Sequence, residues 1–109
     1  MNALKNKVQL IGNAGNNPDI KTFDAGKKLA RLVIATNESY YNDKGEKVTD
    51  TQWHNVTAWG KMAEIIEKYV TKGKEIAVEG KLMHRSYDKN GEKRYITEVV
   101  VSDVLLFGK

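Results

Sequence analysis

The sequence predicts an all-β fold: a five-stranded barrel with one α-helix between the third and fourth strands. Three observations predict it. Stretches rich in Val, Ile, Thr and aromatic residues alternate with period two and are separated by clusters of Gly, Asn and Asp. Only one stretch, residues 61–70, changes to the helical period. Glycine interrupts a strand pattern at Gly80, as at a barrel corner, and Asn90-Gly91 marks a tight hairpin. At 109 residues the chain has room for one core, so a single domain over 1–109 is expected.

Taken in order, residues 5–12 (Lys-Asn-Lys-Val-Gln-Leu-Ile-Gly) put Val8 and Leu10 on one face and Lys7 and Gln9 on the other. This first strand breaks in Asn13-Ala-Gly-Asn-Asn-Pro18, which carries the only proline. A short extended piece, residues 19–23, leads through the turn Asp24-Ala-Gly26 into a second strand from Lys28 to Tyr40. Residues 42–50 are polar around Gly45 and read as an exposed hairpin arm. A third strand, Thr-Gln-Trp-His-Asn-Val-Thr-Ala-Trp-Gly over 51–60, follows. In 61–70, Met62, Ile65, Ile66, Tyr69 and Val70 form one helical stripe, and the helix stops near Lys72-Gly73. Residues 74–85 return to strand and bend at Gly80. Asp88-Lys-Asn-Gly91 turns a second hairpin, and residues 94–107 form the last strand, where Val99, Val100 and Val101 imply burial on both sides.

Composition narrows the function. Eighteen basic against fourteen acidic residues give a net charge of +4, compatible with a polyanionic partner or with an ordinary basic domain. No apolar run reaches the roughly 18 residues a membrane helix needs, and the start lacks the apolar centre of a signal peptide. No cysteine is present, which suits a reducing, cytoplasmic setting. His54 and His84 stand thirty residues apart without cysteines, so no zinc spacing exists, and the carboxylates are scattered among lysines. Gly12 and Gly15 are not followed by Gly-Lys-Ser/Thr or by a helix, so they do not make a phosphate loop. No enzyme, metal or cofactor is expected.

The third strand holds both tryptophans. Its alternation places Trp53, Asn55, Thr57 and Trp59 on one face and Gln52, His54, Val56 and Ala58 on the other. Periodicity leaves two readings open. The rings are core, or Val56 and Ala58 are core and the rings stand on an open polar surface as stacking platforms. Three strands, a helix and two strands, with arms after strands two and four, match a Greek-key barrel of the OB type, whose open face and loops hold oligonucleotides. Single strands are bound by rings that stack on bases and by Lys and Arg that track phosphates. Tyr40, Trp53, Trp59 and Tyr87 supply rings. Lys7, Lys44, Lys61, Lys72 and Arg85 lie at strand ends, loops or helix edges.

The sequence also resembles the bacterial single-stranded DNA-binding proteins. The resemblance runs from Asn6-Lys-Val-Gln-Leu-Ile-Gly-Asn-Ala-Gly15 through Ala35-Thr-Asn-Glu-Ser39, Trp53-His54, Trp59-Gly-Lys61 and Glu79-Gly80 to Arg94-Tyr-Ile-Thr-Glu-Val-Val100. It implies an OB-fold domain that assembles as a homotetramer and wraps single-stranded DNA without strong sequence preference, in replication, recombination and repair near the bacterial nucleoid. Carried over by position, it implies stacking by Tyr40, Trp53, Trp59 and Tyr87. It also implies phosphate contacts by Lys7, Lys44, Lys61, Lys72 and Arg85. Asn6, Val8 and Leu10, in the strand that pairs subunits in the family, and His54 fall at subunit contacts; His54 is alternatively a satisfied histidine on the inward face. The family typically has tryptophan where this chain has Tyr40 and Tyr87, which keeps a ring with less area.

The family usually continues into a flexible segment with an acidic tip that recruits repair proteins. This sequence stops at Phe107-Gly-Lys109, so tail-mediated recruitment is not expected of it. Three other readings compete with the leading one: a primosomal or RNA-binding OB-fold protein, an OB-fold nuclease, and a pure assembly protein, which the absence of any nucleic-acid binding would support. RNA-versus-DNA competition separates the first, and turnover with divalent metal the second.

Overall fold

The computed structural model describes residues 4–107, so the basic end at 108–109 lies outside the described residues. Its elements are β1 (Val8–Ala14), β2 (Asp19–Thr22), β3 (Lys28–Tyr41), β4 (Lys47–Trp59), α1 (Lys61–Tyr69), β5 (Glu75–Lys89) and β6 (Glu92–Leu106). Five strands close a ring in the order β1-β5-β6-β4-β3, and β3 returns to β1 at Asn13↔Ala35 and Ala14↔Ile34. Every pairing is antiparallel except β4 with β6, joined at Val56↔Val99 and Thr57↔Val100. This is the expected Greek-key barrel. The short extended piece becomes β2, an edge strand laid along the first half of β3 from Asp19↔Arg31 to Thr22↔Lys28. It adds a strand without entering the ring, so α1 still falls between the third and fourth barrel strands.

Alternation decides the interior. Ala30, Leu32 and Ile34 of β3, Val56 and Ala58 of β4, Ile76 and Val78 of β5, and Val99 and Val101 of β6 are buried together. Val100, expected to be buried with its neighbours, is only partly covered, because it faces the outer side between two inward valines. The first strand starts later and runs further than its sequence suggests: Asn6 (φ 52), in a turn, and Lys7 precede it, and at the other end Ala14 is buried and completes the ring against Ile34. Helix α1 closes one end of the barrel with Ala63 and Ile66, both fully buried. Val70 is buried too, but in extended conformation, and its N–H to the Ile66 carbonyl ends the helix. Tyr69, expected in the buried stripe, is exposed at the rim under the Lys68 ammonium. A nine-residue helix laid over a barrel end touches it along less than its whole apolar arc.

Two glycines let backbones close on each other. A Cβ on Gly80 would stand 2.1 Å from the Val100 carbonyl oxygen, and one on Gly12 2.2 Å from that of Ala35. The β5–β6 register shifts at Glu79/Gly80, the bend expected there. Beyond the barrel, β3–β4 and β5–β6 run on as two-stranded arms, paired out to Tyr41↔Lys47 and Lys89↔Glu92. Asn90 (φ 52) and Gly91 (φ 80) turn the second arm in the left-handed conformation both positions of a type I′ turn require.

Candidate nucleic-acid interface

The outer face of β4 is the one that periodicity left ambiguous and that the resemblance gave to the rings. Val56 and Ala58 are buried, whereas Trp53 is 64% and Trp59 39% exposed. The Trp53 ring leans on Gly15, where a Cβ would come within 2.8 Å of it; the Gly15 N–H is fixed to the Val33 carbonyl at 2.7 Å. Absence of a side chain at Gly15 thus seats the ring and leaves its remaining surface open. Trp59 is differently placed. Phe23, at the end of β2, stacks on it with centroids 5.8 Å apart and planes 21° from parallel. The Lys27 ammonium lies 4.9 Å from the Trp59 ring centre, and Lys21 lies 5.6 Å from that of Phe23.

Cross-strand register identifies what shares this face. Arg31 stands opposite Thr57 and Leu29 opposite Trp59. On the other side, Met83, Arg85 and Tyr87 alternate along β5 opposite Glu98, Ile96 and Arg94 of β6. Glu98 joins the two halves. One carboxylate oxygen accepts from the Thr57 hydroxyl at 2.7 Å and the other from Arg85 Nε at 2.8 Å. Burial on its own pushes the Glu98 carboxyl up. The hydrogen bonds from Arg85 and Thr57, with the charges of Arg85 and Arg31, outweigh it and hold the group below the usual carboxylate value. The same hydrogen bond and charge raise Arg85. The face is therefore a strip of rings with two guanidinium groups across its middle and a carboxylate, fully hydrogen-bonded, at its floor.

The expected residues do not all converge on it. Trp53, Trp59 and Tyr87 share this face. Tyr40 stands opposite Val48 in step with Ile34↔His54, so it points to the other side of the first arm, and Tyr41 is the ring in step with Trp53. Of the basic set, Arg85 lies on the strip. Lys44 sits near the tip of the first arm and Lys61 opens α1. Lys72 lies in the loop after α1, where its N–H bonds Asn17 Oδ1, and Lys7 pairs with Glu79 at 3.5 Å beside β1. The Asn6 amide both donates to and accepts from the Leu82 backbone. Val8 and Leu10 pack on the core, and His54 Nε2 is 2.9 Å from the Thr36 hydroxyl. Sequence reasoning passed over Phe23, Lys27, Arg31, Met83 and Glu98. Arg31 carried a signal, as a lone charge between Ala30 and Leu32 in an alternating strand. Among the described residues, no group of three or more His, Asp or Glu could hold a metal ion, and no helix is long and apolar enough to cross a membrane.

Fold and face together define an OB-type barrel that presents stacked rings and guanidinium groups along one open strip. A family model described as the single-strand binding protein family matches residues 5–107, and the chain belongs to that family. It is 39% identical over 105 residues to the single-stranded DNA-binding protein 1 of Chlorobaculum tepidum and 44% over 102 residues to the single-stranded DNA-binding protein of Bacteroides thetaiotaomicron. These alignments cover 94% and 91% of this chain, which spans only 65% and 63% of the two relatives' own lengths. A solved complex of the Plasmodium falciparum SSB with ssDNA superposes with a TM-score of 0.85 at 33% identity, covering 99% of this chain and all of the other.

Proposed function

We propose that this chain binds single-stranded DNA without strong sequence preference and protects it during replication, recombination and repair. The observation that carries the proposal is the strip itself: exposed Trp53, the Phe23–Trp59 stack, Tyr87 and the guanidinium groups of Arg31 and Arg85 on one face of a barrel otherwise closed on its core. Rings of this kind stack on any base, because every base has a π-face. Tyr40, on the opposite side of its arm, contributes where the strand passes around the arm. Lys7, Lys44, Lys61 and Lys72, spread over the outer surface, neutralise phosphates along the path. The role is one of binding, with no catalytic step. Family membership and the named relatives support the reading.

We further propose that the chain works as a homo-oligomer, a homotetramer, in the bacterial cytoplasm with the nucleoid. Support comes from β1, whose edge over residues 8–12 pairs with no second strand among the described residues, while Ile11 stands exposed beside it. Asn6, Val8 and Leu10 would set that edge and His54 would stand at a subunit contact. Sedimentation as a monomer at working concentration overturns this part.

The experiment for binding is a fluorescence titration with a dT oligomer at two salt concentrations, alongside matched duplex and RNA. Affinity should fall with salt at a log–log slope of about −0.7 per phosphate contacted, and tryptophan emission should be quenched. Equal affinity for duplex with unchanged emission contradicts the proposal, and strong preference for RNA favours the RNA-binding alternative.

A further inference from the structure

Resting on the single-strand reading, we propose that the β2–β3 turn builds a one-nucleotide site: Phe23 and Trp59 as the wall for an unpaired base, and Lys27 as the contact for its phosphate.

Four features meet there. Phe23 and Trp59 already stack, so two rings form one continuous apolar wall. Beside the wall opens a cleft of about 350 Å³, whose lining includes Met83, Val100 and Leu29. Leu29 is 3% exposed yet outside the barrel's core cluster, so this outer face has an apolar floor of its own. The polar groups reaching the same cleft are Arg31 and Arg85, which can meet base edges or phosphates, and the Thr57 hydroxyl and Glu98 carboxylate, which bond each other at its floor. A flat, partly apolar ligand with a polar rim and an adjacent negative charge fits this lining; a nucleotide of a single strand has that chemistry.

Lys27 gives the site its working order. In the free protein its ammonium lies 4.9 Å from the Trp59 ring centre, where it holds a cation–π contact. Contacts of this kind at exposed sites are weak, so an arriving phosphate draws the ammonium away at little cost and a base can take its place on the indole. The turn that carries Lys27 is fixed: the Phe23 N–H bonds the Lys27 carbonyl at 2.8 Å, the Gly26 N–H bonds the Phe23 carbonyl at 2.8 Å, and Gly26 has φ 80. Ring and ammonium are thereby delivered by one short turn, which leads from the strand outside the barrel ring into β3.

The test uses labelled dT oligomer and fluorescence anisotropy across a salt series on the wild-type chain, Phe23→Leu, Phe23→Ala and Lys27→Gln. Phe23→Leu keeps an apolar side chain and removes the ring, and serves if Phe23→Ala unfolds. It should lower affinity at least about fivefold at every salt concentration, with the slope unchanged. Lys27→Gln should instead flatten the log–log salt slope by about 0.7, one phosphate contact. Wild-type affinity and slope in both variants, with thermal melts matching wild type, overturn the site. Failure of the wild-type chain to bind dT refutes the broader single-strand reading instead, so the two failures are distinguishable.

Discussion

Trp53→Ala and Trp59→Ala should not cost the same, although both remove an indole from one strand. A tryptophan side chain offers up to about 250 Å² of surface. With 64% of Trp53 open, a base laid on its free side covers about 80 Å², worth about 2 kcal/mol at about 25 cal/mol per Å². Trp59 is 39% exposed, and Phe23 already covers part of it, so the same reasoning gives about 1 kcal/mol for a base reaching it. Both values fall within the range of about 1–3 kcal/mol for base–aromatic stacking. The expected result is a loss of about thirtyfold in affinity for Trp53→Ala and about fivefold for Trp59→Ala. Anisotropy with a short labelled dT oligomer at one fixed salt concentration measures both without relying on the lost fluorophore. Thermal melts should change little for Trp53→Ala, because its ring touches Gly15 at the surface and takes no part in the core cluster. Equal losses, or a larger one at Trp59, would refute the argument that open ring area sets the contribution.

Other outcomes follow from the barrel. Gly80→Ala places a methyl 2.1 Å from a backbone carbonyl that the β5–β6 ladder holds in place; unfolding in urea should show a loss of about 3 kcal/mol. Ile66→Ala empties the position at which α1 closes the barrel. It should cost about 2–5 kcal/mol by the same measurement, and a cost under 1 kcal/mol would mean that the helix is not anchored there. Glu98 carries a pH dependence. Its folded value lies below the ordinary 4.5, so its stabilisation is complete above the unfolded value and is lost as pH falls through the folded one. Urea midpoints taken from neutral pH down to about pH 3 should therefore fall more steeply for the wild-type chain than for Glu98→Gln. Parallel curves would remove Glu98 from the acid response.

The barrel was legible in the sequence because its signals are local. Alternation along residues 30–34 and 76–78, the change of period at 61–70, the mid-strand Gly80 and Asn90-Gly91 each express a constraint on a few neighbouring residues. Pattern alone did not say which β4 face was inside, since two rings and the pair Val56 and Ala58 are equally good candidates for a core. Closure of the ring decided it. Once β4 pairs with β3 on one side and β6 on the other, Val56 meets Leu32 and Val99, both buried, and the tryptophans have nowhere to go but out.

The site was legible only in part, for the same reason. A ring or a charge can be read from sequence, whereas its side of the sheet depends on register and its neighbours on chain crossings. Tyr40 and Tyr41 are adjacent, and only the unbroken β3–β4 register shows that Tyr41, and not Tyr40, points with Trp53. Phe23 and Trp59 are remote in sequence, and they meet because β2 folds back along β3 and brings its end beside Leu29, the partner of Trp59. Glu98 looked like one more solvated carboxylate until β6 lay beside β4 and Thr57 and Arg85 closed on its two oxygens. The sequence by itself determined which elements form, because each hydrophobic period and turn residue acts over a few positions. Tertiary structure decided which side chains share a surface, because that is settled by pairing between segments far apart in the chain, through contacts no local pattern encodes.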